Sequence, residues 1–121
     1  MQNRVRFRIL FYRDKNGRCQ ACDYVRELNK RHKAKVSNRF KLLAQYGPEL
    51  PADFGKYLRD GIWELRVVLY RHQHRFLFGY RGDTILVTNA FLKKSRMVPD
   101  EEIEQAEKRI ADWKERTRDE I

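Results

Sequence analysis

The amino-acid sequence predicts one α+β domain, in which a strand and two helices precede a three-stranded antiparallel meander and a last helix. Apolar residues alternate with polar ones early in the chain and again between residues 62 and 91. They recur every three or four positions in the segment between these two regions, and again near the C-terminus. The 121 residues suit a single domain, so we expect residues 1–121 to share one fold.

The first strand is predicted over residues 5–12, which begin at Val5. There an alternation of apolar and basic residues becomes a continuous apolar run. Residues 14–17 follow as a turn, because Asp, Asn and Gly cluster there. We expect this strand and the later meander to form one four-stranded sheet.

A helical period extends from Cys19 to Tyr46. The sequence allows an interruption at residues 29–30 or 37–38, so we expect either a two-helix hairpin or one kinked helix. Gly47-Pro48 predicts the end of this segment. The predicted apolar face comprises Ala21, Val25, Leu28, His32, Val36, Phe40 and Leu43, and the predicted polar face Arg26, Lys30, Arg31, Lys33, Lys35, Arg39 and Lys41.

The meander is predicted from three apolar runs separated by short turns. We expect a loop over residues 51–60 and strands at residues 62–70, 75–80 and 85–91. The turns are expected near His72-Gln73 and at Gly82-Asp83.

The last helix is predicted to begin near Pro99, because proline suits the first turn of a helix. Acidic residues follow Pro99 and basic residues lie near the C-terminus, and both placements complement the helix dipole. The predicted apolar stripe of this helix comprises Ile103, Ala106, Ile110 and Trp113.

The charge pattern limits the classes of partner. The net charge is +10, and residues 99–121 carry an excess of acidic side chains. A basic body suggests nucleic acid or another polyanion, although an acidic protein partner or a merely solvated surface fits the charge as well. No apolar run reaches the roughly 20 residues that span a bilayer. We therefore expect a cytoplasmic protein without a membrane partner.

The two cysteines and three histidines give no clear metal or redox motif. Cys19 and Cys22 form a single C-x-x-C pair, whereas a structural zinc site needs four ligands. A redox pair would need a parallel βαβ setting. We expect two reduced cysteines at the start of a helix, and we expect His72 and His74 to be turn residues with solvated rings.

The candidate chemistry lies in cations on the predicted sheet. Arg66 is mid-strand on the face opposite Trp63, Leu65 and Val67, and Arg75 begins the neighbouring strand. Two arginines that approach across a hairpin repel unless an anion separates them, which favours a phosphate site. Further cations precede and follow these strands, namely Lys56, Arg59, Lys93, Lys94 and Arg96.

Such a cluster contains the groups that RNA cleavage requires. The 2′-OH must lose a proton, the charge on phosphorus must be stabilised, and the leaving oxygen must gain a proton. Arginine suits the second task, and a lysine among other cations can serve the proton transfers if its pKa falls. His72 and His74 are rival acid–base groups, and Tyr70, Tyr80 and Phe91 could stack on a base, although Phe91 suits a core position equally well.

The order of these motifs resembles the phage-derived HigB-like branch of the RelE/ParE toxin superfamily. The segments KYLRDGIWELR (56–66), RFLF (75–78) and NAFLKKS (89–95) match its pattern, followed by Pro99, Glu102-Ile103 and Ala106. The resemblance covers roughly residues 54–110. It implies a RelE-like fold and metal-independent cleavage of mRNA in the ribosomal A site by 2′-OH attack, with no cofactor. It also implies a cognate antitoxin, often a helix-turn-helix protein.

The same resemblance implies roles for single residues. Arg66 and Arg75 would stabilise the phosphate, and Lys93 and Lys94 would contact or protonate RNA. Phe91 would stack or shape the site, Lys56 would be an outer contact, and the nearby Arg59 and Arg96 are further candidate RNA contacts. Many RelE relatives carry a tyrosine near the site, which residues 91–96 lack. Two alternatives remain: a ParE-like poison of DNA gyrase, and a basic nucleic-acid-binding module without catalysis.

Overall fold

The computed structural model describes residues 6–120, so Val5 of the predicted first strand lies outside the described residues. The elements are β1 (Arg8–Phe11), α1 (Gln20–Arg26), α2 (Lys30–Tyr46), β2 (Gly55–Arg59), β3 (Ile62–Leu69), β4 (His72–Arg81), β5 (Thr84–Leu92) and α3 (Asp100–Thr117). Short 3-10 helices lie at Gly47–Glu49 and Arg118–Glu120. This order confirms an α+β fold.

The described strands form one five-stranded mixed sheet with the order β1-β5-β4-β3-β2. The antiparallel meander is confirmed, and β1 pairs with β5 in parallel. The predicted four-stranded sheet is therefore wrong in its strand count, because β2 lies inside the predicted loop at residues 51–60. The short edge strand β2 pairs with β3 through Lys56 opposite Glu64, and its polar sequence carries no regular alternation.

The helical segment divides at the first of the two predicted interruptions. Asn29 caps α2, since its side chain accepts a hydrogen bond of 3.0 Å from the His32 amide. Gly47 ends α2 with a φ of 53°. The predicted apolar face is buried or half-buried. Arg39, assigned above to the polar face, is instead buried: its guanidinium lies 3.6 Å from the Phe54 ring centroid and donates to the Arg66 carbonyl.

Two hydrophobic clusters occupy opposite faces of the sheet. The larger cluster lies between the sheet and α1–α2 and includes Val36, Leu43, Leu65, Val67, Phe76, Phe78 and Val87. The smaller cluster joins Ile62 and Leu77 of the sheet to Ile103 and Ala106 of α3. A Cβ atom at Gly79 would lie 2.6 Å from Ile110 Cδ1, so this glycine permits the close approach of α3.

The side chain of Gln20 connects α1 to β5. Its amide nitrogen donates to the Ala90 carbonyl at 2.8 Å, and its amide oxygen accepts from the Ala90 amide at 2.7 Å. Because β1 ends its pairing with β5 at Phe11 opposite Val87, Gln20 contacts the part of β5 beyond β1.

The histidines correct a second prediction. Strand β4 begins at His72, so the expected turn at His72-Gln73 is wrong. Although His72 is exposed, His74 is only 2% exposed and is not a solvated turn residue. Its ring nitrogens lie 2.7 Å from the Tyr24 hydroxyl and 2.8 Å from His32 Nδ1. Burial, together with the neighbouring His32, His72 and Arg75, lowers the pKa of His74 to about 4.

The cysteines correct a third prediction. Cys19 and Cys22 are joined by a disulfide and are not reduced thiols. The geometry at the start of α1 explains the pairing, because one helical turn holds their Cα atoms 5.2 Å apart, within the usual range for a disulfide. The Cys19 sulfur also accepts from the Cys22 amide and caps α1.

No helix within residues 6–120 is both long enough and apolar enough to cross a membrane.

Candidate functional site

A cavity of about 280 Å³ lies beside β2 and the N-terminus of α3, where α3 leaves one end of the sheet uncovered. We call this cavity the cationic pocket. Five of the predicted site residues line it, namely Lys56, Arg59, Arg66, Lys93 and Arg96. The structure thus brings together cations that are up to 40 positions apart in sequence.

The register of the sheet explains this grouping. Arg66 lies directly opposite Arg75 in the β3–β4 pair, and Arg75 lies opposite Phe91 in the β4–β5 pair. Side chains alternate between the faces of a strand, so Glu64 shares the Arg66 face. Because Glu64 pairs with Lys56 of β2, four neighbouring strands contribute to one surface.

Glu64 is the main site residue that the sequence analysis missed. Its side chain is 1% exposed, and its Oε1 accepts a hydrogen bond of 2.7 Å from Arg66 Nε. Its Oε2 lies 3.6 Å from Arg75 Nε, and neither of these two atoms has a hydrogen-bond partner. The signal available in the sequence was a carboxylate two residues before Arg66 on the same strand face.

Arg75 lies beneath the pocket and is not one of its lining residues. It is 4% exposed, and its terminal nitrogens donate to the His74 carbonyl at 3.1 Å and to Gln73 Oε1 at 3.0 Å. Burial lowers the pKa of Arg75, while Glu64 opposes that shift. Arg66, with a quarter of its side chain exposed, is therefore the arginine of this pair that a phosphate can reach.

Lys93 combines access to the pocket with a perturbed charge. Burial lowers the pKa of its ammonium group, and the positive charges of Arg75, Arg66 and Lys56 act in the same direction, against Glu64. The Lys93 amide donates to the Gln73 carbonyl at 2.8 Å, which fixes the backbone at the end of β5. A lysine whose pKa is lowered in this way is better suited to proton transfer.

Three predicted site residues have a different environment from Lys93. Lys94 is exposed and does not line the pocket. Phe91 packs against the smaller hydrophobic cluster, which favours the core alternative for this ring. Arg59 lines the pocket but donates to Asp60 at 2.8 Å and to Asp100 at 3.2 Å, so it ties β2 to the start of α3.

Tyr57 is a second lining residue that the sequence analysis did not single out. Its ring is about half exposed and packs edge-on against Trp63, and its hydroxyl accepts from the Gly61 amide at 3.0 Å. Of the aromatics proposed for base stacking, Tyr70 contacts Arg31 and Tyr80 packs in the larger cluster. Because Tyr57 pairs with Trp63 in the sheet, its ring lies on the Trp63 face and does not share the surface that carries Glu64 and Arg66.

Within residues 6–120, no three His, Cys, Asp or Glu side chains are arranged to hold a metal ion. The ionisable groups that line the pocket are guanidinium and ammonium groups, the buried carboxylate of Glu64 and the exposed carboxylate of Asp100.

The five-stranded sheet and the cationic pocket are compatible with a RelE-like, toxin-like domain. The chain belongs to the family described as phage derived protein Gp49-like (DUF891), a RelE/toxin-like family whose model matches residues 23–111. The match extends from α1 into α3 and includes every candidate site residue. Comparison of the chain with curated proteins gives no match.

Proposed function

We propose that this protein is the toxin of a type II toxin–antitoxin pair, of the HigB-like branch, and that it cleaves mRNA on the ribosome. The observation that carries the proposal is the placement of Lys93 beside Arg66 and Lys56 in one cavity, with a lowered Lys93 pKa. A family of RelE-like toxins and a net charge of +10 support it.

In this proposal different residues serve different steps of the 2′-OH attack, without a metal ion or cofactor. Arg66 binds the non-bridging phosphate oxygens and stabilises the charge that develops on phosphorus. Lys93 transfers a proton to or from the reacting oxygens, and Lys56 holds the adjoining phosphate. Arg96 and the exposed Lys94 act as outer contacts with the RNA backbone.

The partners follow from the same proposal. The ribosome presents the mRNA, and a cognate antitoxin, expected to be a helix-turn-helix protein, inhibits the toxin. Such a system acts in the cytoplasm.

Mapping mRNA 5′ ends after brief induction tests this function. We expect cleavage within codons of translated mRNA, and we expect Lys93→Ala and Arg66→Ala each to reduce it by about 10²-fold or more. Lys114→Ala, which removes an exposed cation on α3 outside the pocket, is the matched control and should cleave normally. DNA-damage signalling without mRNA cuts would instead support the gyrase alternative, and salt-sensitive RNA binding without cuts would support the non-catalytic one.

A further inference from the structure

Glu64 occupies the floor of the cationic pocket, almost completely buried between Arg66 and Arg75. We propose that Glu64 is a positioning residue, which orients Arg66 for phosphate binding and balances the charge of Arg75 beneath it. This inference rests on the proposed function and deepens it, since it explains how Arg66 can bind a phosphate although it lies directly opposite the buried Arg75.

The hydrogen bond to Glu64 determines which edge of Arg66 is free. A guanidinium group has five N–H donors in a planar fork, and its two terminal nitrogens bind phosphate oxygens as a pair. Within residues 6–119, the hydrogen bond that the Arg66 side chain makes uses Nε alone. Glu64 therefore holds the inner edge of Arg66 and leaves the phosphate-binding edge available.

The balance of charge supports the same role. Arg66 and Arg75 are direct cross-strand neighbours, and like charges at such positions destabilise a strand pair. One carboxylate between them reduces this repulsion. Lys56 and Lys93 lie beside the same pocket, so the cluster stays positive overall and can still attract a phosphate.

Burial of the Glu64 carboxylate is unfavourable by itself, so its presence at this position needs an explanation. The neighbouring Ile62, Leu65 and Leu77 are all apolar and fully buried, and replacing a buried ion pair by apolar side chains is often neutral or stabilising. The pairing is also incomplete, because Glu64 Oε2 and Arg75 Nε lack hydrogen bonds. Replacing Glu64 alone, however, would leave the buried Arg75 without its counter-charge, so the carboxylate is explained by the two arginines that it holds.

An NMR experiment tests the positioning without any RNA. In the ¹⁵N-labelled protein, we expect the Arg66 Nε–H group to be protected from exchange in the wild type, less protected in Glu64→Gln and unprotected in Glu64→Leu. Identical Arg66 signals in the wild type and in Glu64→Leu would overturn the proposal. This result does not depend on RNase activity, so it separates a failure of this inference from a failure of the proposed function.

Single-turnover cleavage of mRNA on programmed ribosomes tests the consequence. We expect Glu64→Gln, which keeps the shape and one acceptor, to lower the rate about tenfold, because a neutral acceptor binds guanidinium more weakly. Glu64→Leu should lower it about 10²–10³-fold while circular dichroism shows a folded protein. If the Glu64→Leu protein cleaves at the wild-type rate, then Glu64 only fills space, and the proposal is refuted.

A double-mutant cycle and the pH profile distinguish positioning from proton transfer. If Glu64 acts through Arg66, then Glu64→Gln should have little further effect in the Arg66→Ala background. The rate–pH profile of Glu64→Gln should also keep its wild-type shape. Additive losses would show that Glu64 acts independently of Arg66, and the loss in Glu64→Gln of an acidic limb that the wild type shows would identify Glu64 as a base, so either result would contradict the proposal. If Glu64→Leu does not fold, this cycle decides alone.

Discussion

Buried His74 should make the protein less stable in mildly acidic solution. In the folded state, burial among His32, His72 and Arg75 lowers its pKa from 6.5 to about 4, while Tyr24 contacts its other nitrogen. Below pH 6.5 the unfolded chain therefore binds a proton that the folded protein excludes. Stability is complete above pH 6.5 and decreases as the pH falls toward 4, with a loss of about 2 kcal/mol at pH 5.

Urea unfolding followed by tryptophan fluorescence at pH 7.5, 6 and 5 measures this loss. The exposed His72 offers a matched control, since His72→Gln should retain most of the pH dependence and His74→Gln should remove most of it. The pKa values of Asp14 and Asp112 are lowered from 3.8, so their stabilisation disappears only at lower pH. Equal free energies of unfolding at pH 7.5 and pH 5 would refute the reasoning.

Three further predictions follow from other contacts. Arg59→Ala breaks ion pairs with Asp60 and Asp100, but the arginine side chain is 42% exposed, so urea titrations should show little change in the free energy of unfolding. Leu77→Ala leaves a cavity beneath α3, where Leu77 is fully buried, and the same titration should show a loss of about 2–5 kcal/mol. If Lys93 is the proton donor to the leaving oxygen, its lowered pKa should give cleavage an alkaline limb below pH 10.5, which Lys93→Arg should shift upward or abolish. An unshifted limb would exclude Lys93 as its source.

The sequence was most informative where structure depends on local contacts. Helical spacing identified the buried faces of α1, α2 and α3. The break between α1 and α2, where Asn29 caps α2, lies at one of the two predicted interruptions. Strand β2 was missed because its five residues include two cations and no clear alternation, so its pairing depends on β3. The parallel contact between β1 and β5 joins segments about 75 positions apart, which no local pattern encodes.

The same distinction applies to the candidate site. The approach of Arg66 and Arg75 was predictable because a short hairpin joins their strands, but their exact pairing was not, because the turn was predicted two residues too late. The role of Glu64 was not predictable from the sequence, because it depends on where α3 stops covering the sheet. His74 was misplaced because the predicted turn at His72-Gln73 removed it from β4, whereas the actual turn lies two residues earlier, at Tyr70-Arg71.

The double hydrogen bond from Gln20 to Ala90 has a consequence for what can attach to the sheet. The primary amide presents a donor and an acceptor side by side, as a peptide group does, so it imitates one more residue of a neighbouring strand. Both backbone groups of Ala90 are therefore occupied, and an extended chain that adds to the sheet must pair with the outer edge of β1 or β2. Gln20→Glu would set a second acceptor against the Ala90 carbonyl and reopen that stretch of β5 to competing strands.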